Sequence, residues 1–206
     1  MKVMTLDSLE LEITSVCTLA CPGCSRVNTA HKKDLWDKGH IDFDTISSII
    51  KNSEFKSYHL IGCYGDAIYH PKFWEVVQVL QQEDKHWMVH TNGSSRSRKW
   101  WEQSYDIEFK DEHRNNFCFA IDGLEDTNNV YRINSKWKTI ITGLEVMSKH
   151  PTPPKLTWRW LDFPYTRHQQ EEAKMIAEDY GMHFEVHPSF RSSGQYVHET
   201  PEIFVD

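Results

Sequence analysis

The sequence contains no apolar run that approaches the ~20 residues of a membrane-spanning helix. Its first residues also lack the charged segment and apolar stretch of a signal peptide. Basic residues are not in excess, since 23 Lys and Arg stand against 30 Asp and Glu, for a formal net charge of −7. Because sequence-independent nucleic-acid binding needs clustered Lys and Arg, these absences predict neither a membrane nor a nucleic-acid partner.

Cysteine is scarce and unevenly placed. There are five cysteines, an odd number, and three of them lie within the eight residues Cys17–Cys24. This distribution is not typical of a secreted disulfide framework, whose cysteines occur in pairs along the chain. It predicts thiols that stay reduced, and therefore a cytoplasmic location.

The 206 residues contain no low-complexity segment, linker or close repeat, and they alternate between strand-like and helix-like segments. The predicted strands are Leu9–Thr14, Tyr58–Cys63, His86–Asn92, Asn116–Asp122, Lys155–Phe163 and Met182–Pro188. The predicted helices are Phe43–Lys51, Pro71–Gln82, Arg98–Ser104, Trp137–Lys149 and Arg167–Tyr180. Alternation of this kind predicts an α/β fold with parallel strands and helices outside. A complete barrel of eight units takes ~250 residues, so we expect a partial (β/α)6 TIM-like barrel over residues 1–189, followed by a C-terminal tail over 190–206.

The alternation within the strands predicts a polar interior for this barrel. If apolar residues such as Phe117 and Trp158 face the outer helices, the inner face carries charged side chains. Those side chains are Glu12, Asp122, Arg159, Glu185 and His187. Buried charges are costly unless they are paired or bound to a ligand, so the interior is either a binding site or a ring of salt bridges. In the first case Glu12, Glu185 and His187 are candidate substrate contacts.

The cysteine run has the spacing Cys-x3-Cys-x2-Cys, formed by Cys17, Cys21 and Cys24. Three thiolates without a fourth nearby suit a 4Fe-4S cluster in which one iron stays open to another ligand. The alternative is a zinc site, for which His31 or His40 would supply the fourth ligand.

The spacing of these cysteines directly after the first strand resembles the radical S-adenosylmethionine superfamily. Further segments match that family in order between about residues 9 and 188. These segments are Tyr64–Pro71, which resembles the family's Gly-Gly-Glu-Pro region, then Thr91-Asn92-Gly93, Ile121–Leu124 with Tyr131-Arg132, and Trp158–Gly181. The strand-end motifs are most similar to the peptide-modifying (SPASM-type) group. No cysteine follows Cys118. We therefore expect a single cluster and not the C-terminal cluster domain of that group.

The resemblance implies a role for each matching residue. Cys17, Cys21 and Cys24 would ligate the cluster, and S-adenosylmethionine would chelate its open iron. Backbone around Gly65 and Asp66 would receive the amino group, Asp122 the ribose and Arg159 the carboxylate. The full set of expected cofactor contacts is Gly23, Tyr64, Gly65, Asp66, Ala67, Thr91, Asn92, Asp122 and Arg159.

The implied reaction is reductive cleavage of S-adenosylmethionine to a 5′-deoxyadenosyl radical, which removes hydrogen from a peptide or small molecule. An electron donor such as flavodoxin or ferredoxin is implied as well. Cys63 is either a hydrogen donor in that reaction or a small apolar filler.

Two other functions fit the motifs. Cys21-Pro22-Gly23-Cys24 and the short chain resemble the activase that makes a glycyl radical on anaerobic ribonucleotide reductase. A non-catalytic scaffold that binds a cluster is suggested by Gly23, where the family usually has an aromatic residue, and by Ala67, where it has proline.

Overall fold

The computed structural model describes residues 7–29, 38–109 and 115–189. The predicted tail 190–206 and His31 lie outside the described residues. The described strands form one sheet in the order β1-β2-β3-β4-β5-β6, and every neighbouring pair is parallel. These strands are β1 Ser8–Glu10, β2 Ser57–Leu60, β3 His86–Thr91, β4 Asn115–Ala120, β5 Lys155–Asp162 and β6 His183–Pro188.

Helices connect consecutive strands. They are α1 Ser25–Thr29, α2 Phe43–Asn52, α3 Phe73–Gln82, α4 Arg98–Glu102, α5 Asn128–Tyr131, α6 Trp137–Ser148 and α7 Gln170–Asp179. Short 3-10 turns occupy Ala67–Tyr69, Gln103–Asp106 and Arg167–Gln169. No helix in the described ranges has the length and apolar character that crossing a membrane requires.

The predicted α/β architecture, a partial barrel of six parallel strands, is confirmed. Three strands end two or more residues earlier than predicted, at Glu10, Leu60 and Ala120, and β3 and β5 end one residue earlier. Beyond these points the backbone leaves the ladder, and Thr14 instead pairs with His40 in an isolated antiparallel bridge. The short helices α1 and α5 were not predicted, because four or five residues do not display a helical hydrophobic period.

The outward faces of the central strands form the core, as the alternation predicts. Phe117, Phe119, Trp158 and Trp160 are fully buried. Val186 on β6 also alternates outward but is 46% exposed. Among the described strands β6 pairs with β5 alone, so its outer face is less covered than that of a central strand.

Close packing between α4 and α6 depends on a glycine. A Cβ atom added to Gly143 in α6 would lie 2.8 Å from two ring atoms of Trp101 in α4. Trp101 is fully buried and has Phe119 beside it at a centroid distance of 5.8 Å, so it has little room to move.

We expect Gly143→Ala to destabilise the protein, although alanine is the better helix former by about 1 kcal/mol. Overpacking a filled core outweighs that gain, for a net loss of about 1–2 kcal/mol in the free energy of unfolding. Urea unfolding followed by circular dichroism measures it. Gly39→Ala is the control, because a Cβ there meets nothing within 4 Å. Equal stability of the two variants would contradict this packing.

Candidate functional site

Loops at the carboxyl ends of β1 to β4 surround a cavity of ≈ 300 Å³. Its lining residues are Cys17, Leu19, Cys21, Cys24, Ser25, Ile61, Gly62, Cys63, Gly65, Asp66, His90, Thr91, Asn92, Ala120 and Arg132. Ligand sites in parallel α/β folds lie at this edge of the sheet, where the loops after successive strands converge. The cavity is therefore the candidate functional site.

The cavity brings together about half of the residues that the sequence predicts for a site. Those that line it are Cys17, Cys21, Cys24, Cys63, Gly65, Asp66, Thr91 and Asn92. The predicted residues that do not line it are Glu12, Gly23, Tyr64, Ala67, Asp122, Arg159, Glu185 and His187.

Sequence reasoning did not select three polar residues of the lining, Ser25, His90 and Arg132. Alternation along β3 carries a signal for His90, because Trp87 and Val89 are buried outward and His90 has the opposite parity. Arg132 was noted only as part of a motif, and nothing local in the sequence marks it as a cavity residue.

The loop that carries the cysteines is tied to its surroundings by backbone hydrogen bonds. Ala20 donates its N–H to the carbonyl of Ile133 at 3.0 Å, and Cys24 donates to the carbonyl of Cys21 at 3.0 Å. Two N–H groups also point at the sulfur of Cys17, from Leu19 at 3.5 Å and from the side-chain amide of Asn92 at 3.6 Å. The loop thus holds its thiols in place through its own backbone and through the end of β3.

Burial and the neighbouring arginines shift the pKa of these thiols in opposite directions. Burial, reinforced by the Asp66 carboxylate, raises the pKa of Cys17 to about 12, and burial also raises the pKa of Cys21. Arg26 lowers the pKa of both thiols, and Arg132 lowers that of Cys21. A metal centre that bound these cysteines would displace their protons, and the two arginines would balance part of the resulting negative charge.

The residues around the cysteines fit an iron–sulfur cluster better than a single metal ion. No three His, Cys, Asp or Glu residues within the described ranges are grouped to hold one ion. His40, a candidate fourth zinc ligand, instead lines another cavity beside His70, with ring centroids 5.5 Å apart. A cluster binds each thiolate through a different iron, so its ligands need not converge on one point.

Two buried donors near the cysteines support the same interpretation. Nε of Arg26 and the hydroxyl of Tyr165 are buried without a hydrogen-bond partner in the described structure. Tyr165 packs with Phe163 against the apolar cluster that contains Cys21. Buried donors are normally satisfied, and cluster sulfurs commonly accept such bonds, so the site fits an anionic sulfur-rich group.

The Asp66 carboxylate joins the loop after β2 to the end of β3. It accepts hydrogen bonds from the Thr91 hydroxyl at 3.0 Å, from the Asn92 N–H at 2.8 Å and from the Asn92 side-chain amide. Burial raises its pKa to about 6, while these donors favour its charged form. The Asp66 N–H in turn donates to the carbonyl of Val16 at 3.0 Å, in the cysteine loop.

Glu12 fixes the other side of this loop. Its Oε1 accepts the N–H of Tyr64 at 2.6 Å and that of Gly65 at 2.8 Å. A Cβ on Gly65 would overlap the carbonyl oxygen of Thr14, so a glycine is needed for the loop to lie against the segment after β1. The role of Glu12 as a substrate contact stays a prediction; in the structure it positions the loop.

The remaining charged residues of the interior are paired. Arg159 Nε lies 2.8 Å from Glu185 Oε1, which also lies 3.2 Å from His187 Nε2. Asp122 lies 2.6 Å from Arg132 Nε. Ion pairing, one of the two interpretations of the polar interior, therefore accounts for these side chains, and their contacts with a ligand stay predictions.

Comparison with solved structures shows where else this fold occurs. Streptococcus suis SuiB bound to S-adenosylmethionine has a TM-score of 0.70 and 12% identity over 92% of this chain and 42% of SuiB. TYW1 with a lysine-pyruvate adduct bound has a TM-score of 0.61 and 13% identity over 89% of this chain and 65% of TYW1. Methylornithine synthase (PylB) has a TM-score of 0.59 and 9% identity over 88% of this chain and 52% of PylB. No family model and no curated protein matches the sequence. At these identities the likeness shows the fold, and this chain spans about two fifths of SuiB.

We expect Gly65→Ala to displace the loop after β2, because its methyl group and the Thr14 carbonyl cannot occupy the same space. The free energy of unfolding should fall by about 2 kcal/mol or more, the range of a backbone conflict in a buried loop. Urea unfolding measures it, and Gly39→Ala again serves as the control in open space. A Gly65→Ala variant as stable as this control would show that the loop does not need the close approach.

His90 should make the protein sensitive to acid. Burial, with Arg159 nearby, lowers the pKa of His90 to about 4 from its ordinary 6.5. The stability contributed by neutral His90 is thus present above pH 6.5 and is lost as the pH falls towards 4. We expect the free energy of unfolding to drop by about 1–3 kcal/mol more in the wild type than in His90→Gln between pH 7 and 4.5. Parallel pH profiles of the two proteins would contradict this expectation.

Proposed function

We propose that this chain is a radical S-adenosylmethionine enzyme. The observation that carries the proposal is the joint placement of Cys17, Cys21 and Cys24 in one cavity at the carboxyl ends of the strands. That placement occurs in a fold shared with SuiB, TYW1 and PylB, which are radical S-adenosylmethionine enzymes. The cysteine motif, the fold and the cavity agree with one another, and their agreement supports the proposal.

Cys17, Cys21 and Cys24 would hold a 4Fe-4S cluster. When bound, the cluster would supply the electron that cleaves S-adenosylmethionine into methionine and a 5′-deoxyadenosyl radical, which takes hydrogen from the substrate. SuiB has been solved with S-adenosylmethionine bound, which supports the same ligand here. The chain would contribute binding, orientation and exclusion of water, as proteins do around a reactive cofactor.

Several residues of this chain suit those tasks. Leu19 and Phe163 are buried and pack around Cys21, so they would keep water from one side of the cluster. The N–H groups of Leu19 and of the Asn92 side chain would donate to the Cys17 thiolate and favour its ligating form. Carbonyl groups of the loop braced by Glu12 and Asp66 would accept from the ligand's amino group.

A peptide or a small molecule is the proposed substrate class. SuiB has also been solved with its precursor peptide SuiA. The described strands leave the sheet open between β1 and β6, on a side of the barrel through which a peptide or a partner protein would enter. Flavodoxin or ferredoxin is the proposed electron donor, in a reducing cytoplasm that keeps the thiols free for iron. Cys63 is exposed and lines the cavity, so a role as hydrogen donor belongs to this proposal.

The test is anaerobic reconstitution with iron and sulfide, followed by dithionite and S-adenosylmethionine and detection of 5′-deoxyadenosine by liquid chromatography. We expect about four irons per chain and product formation by the wild type. Cys17→Ala should lose both the iron and product formation, because only two of the three thiolates that would bind the cluster remain. Cys118→Ala should keep both, because Cys118 is buried on β4 and does not line the cavity.

The other outcomes separate the alternative functions. An intact cluster without formation of 5′-deoxyadenosine would contradict the proposed enzymatic function and favour the non-catalytic scaffold. Product formation together with a glycyl-radical resonance on a co-expressed partner would favour the activase. Equal loss of iron in Cys17→Ala and Cys118→Ala would contradict the assignment of the ligands.

A further inference from the structure

Arg26 belongs to α1, the short helix that follows the cysteine loop directly. Its Nη2 donates back to the carbonyl oxygen of Leu19, a residue that lies between Cys17 and Cys21. The N–H of Leu19 in turn points at the sulfur of Cys17 at 3.5 Å. The guanidinium of Arg26 is therefore held against the backbone that carries the first two cysteines.

The Nε atom of Arg26 is buried and has no hydrogen-bond partner among the described residues. Such donors are rare in folded proteins, because a buried N–H without an acceptor keeps its full desolvation cost. Arg26 also takes part in no ion pair within the described ranges. Because arginine stays protonated in proteins, this position offers both an N–H donor and a positive charge to an anionic group.

Arg26 acts electrostatically on the thiols of the loop. Burial raises the pKa of Cys17 and of Cys21, and Arg26 lowers the pKa of both. Arg132 also lowers the pKa of Cys21, but the Asp122 carboxylate lies 2.6 Å from Nε of Arg132 and matches its charge. Within the described structure, Arg26 is thus the cation beside these cysteines whose charge no carboxylate offsets.

We propose that Arg26 sets the reduction potential of the bound cluster, through its charge and through its Nε–H. The inference rests on the proposed function, which places a 4Fe-4S cluster on Cys17, Cys21 and Cys24. Nearby charge and hydrogen bonds to the sulfurs are two of the factors that determine the potential of such a cluster. Arg26 supplies both at the loop that carries the ligands.

The direction of the effect follows from the charge. Reduction moves one electron from a donor of the flavodoxin or ferredoxin class to the cluster, and it adds one negative charge to a centre that three thiolates already make anionic. A nearby cation and a hydrogen-bond donor stabilise the reduced form more than the oxidised form. Arg26 therefore raises the potential, so the electron is accepted more readily than it would be without this side chain.

The test is an anaerobic redox titration of the reconstituted protein without S-adenosylmethionine, followed by the electron paramagnetic resonance of the reduced cluster. We expect Arg26→Gln to lower the equilibrium constant of one-electron reduction about tenfold, a shift of ~60 mV to more negative potential. The matched control is Arg98→Gln, because half-exposed Arg98 lies in α4, pairs with Glu145 and does not line the cysteine cavity. It removes the same charge from the solvent-screened surface, and its equilibrium constant should stay within about twofold of wild type.

Arg26 also holds the Leu19 carbonyl, so the experiment separates a structural role from a redox role. Iron content and circular dichroism report the structural role, whereas the midpoint potential of the loaded clusters does not depend on how many chains are loaded. Arg26→Lys keeps the charge but has no N–H at the position of Nε. We expect it to lower the equilibrium constant about threefold, a shift of ~30 mV in the same direction.

The outcomes are distinct. A midpoint of Arg26→Gln that equals or exceeds that of wild type, or an equal shift in Arg98→Gln, would overturn the inference while the proposed function stands. If Arg26→Gln takes up no iron, an unchanged midpoint in Arg26→Lys would overturn the inference instead. A wild-type protein that forms no reducible 4Fe-4S cluster would overturn the proposed function, and the inference with it.

Discussion

The carboxylate of Asp66 is the interaction on which the rest of the site depends. It is buried in the loop after β2 and is held by the Thr91 hydroxyl and two groups of Asn92 at the end of β3. The Asp66 N–H is bonded to Val16 in the cysteine loop, and the side chain of Asn92 reaches the sulfur of Cys17. A single residue therefore sets the relative positions of three loops that the sheet alone would leave independent.

Two ion pairs lie at or near this cavity. Arg132 of the Arg132–Asp122 pair lines the cysteine cavity, and Arg159 of the Arg159–Glu185 pair contacts His90. Each pair offsets much of the cost of burying its charges, which an isolated carboxylate or guanidinium could not do. Pairing also fixes the orientation of each guanidinium.

Sequence patterns determine the fold almost completely and the site only in part. The two-residue alternation of Phe117, Phe119 and Ile121 shows which face packs on helices, because burial repeats along the strand. The cysteine spacing marks the loop proposed to hold the cluster, because the three thiols lie within eight residues. For Glu12, in contrast, the sequence predicts only a charged side chain that faces the interior. The structure shows that it accepts hydrogen bonds from N–H groups more than fifty residues away.

Arg132 and Arg159 show why the remainder is out of reach of sequence reasoning. Both follow or lie within strands that end at the same edge of the sheet, and both have a carboxylate partner. What distinguishes them is the loop to which each is tied: Ile133 is bonded to the cysteine loop, while the partner of Arg159 comes from the edge strand β6. A side chain's availability to a ligand depends on such long-range partners, and no local pattern of residues encodes them.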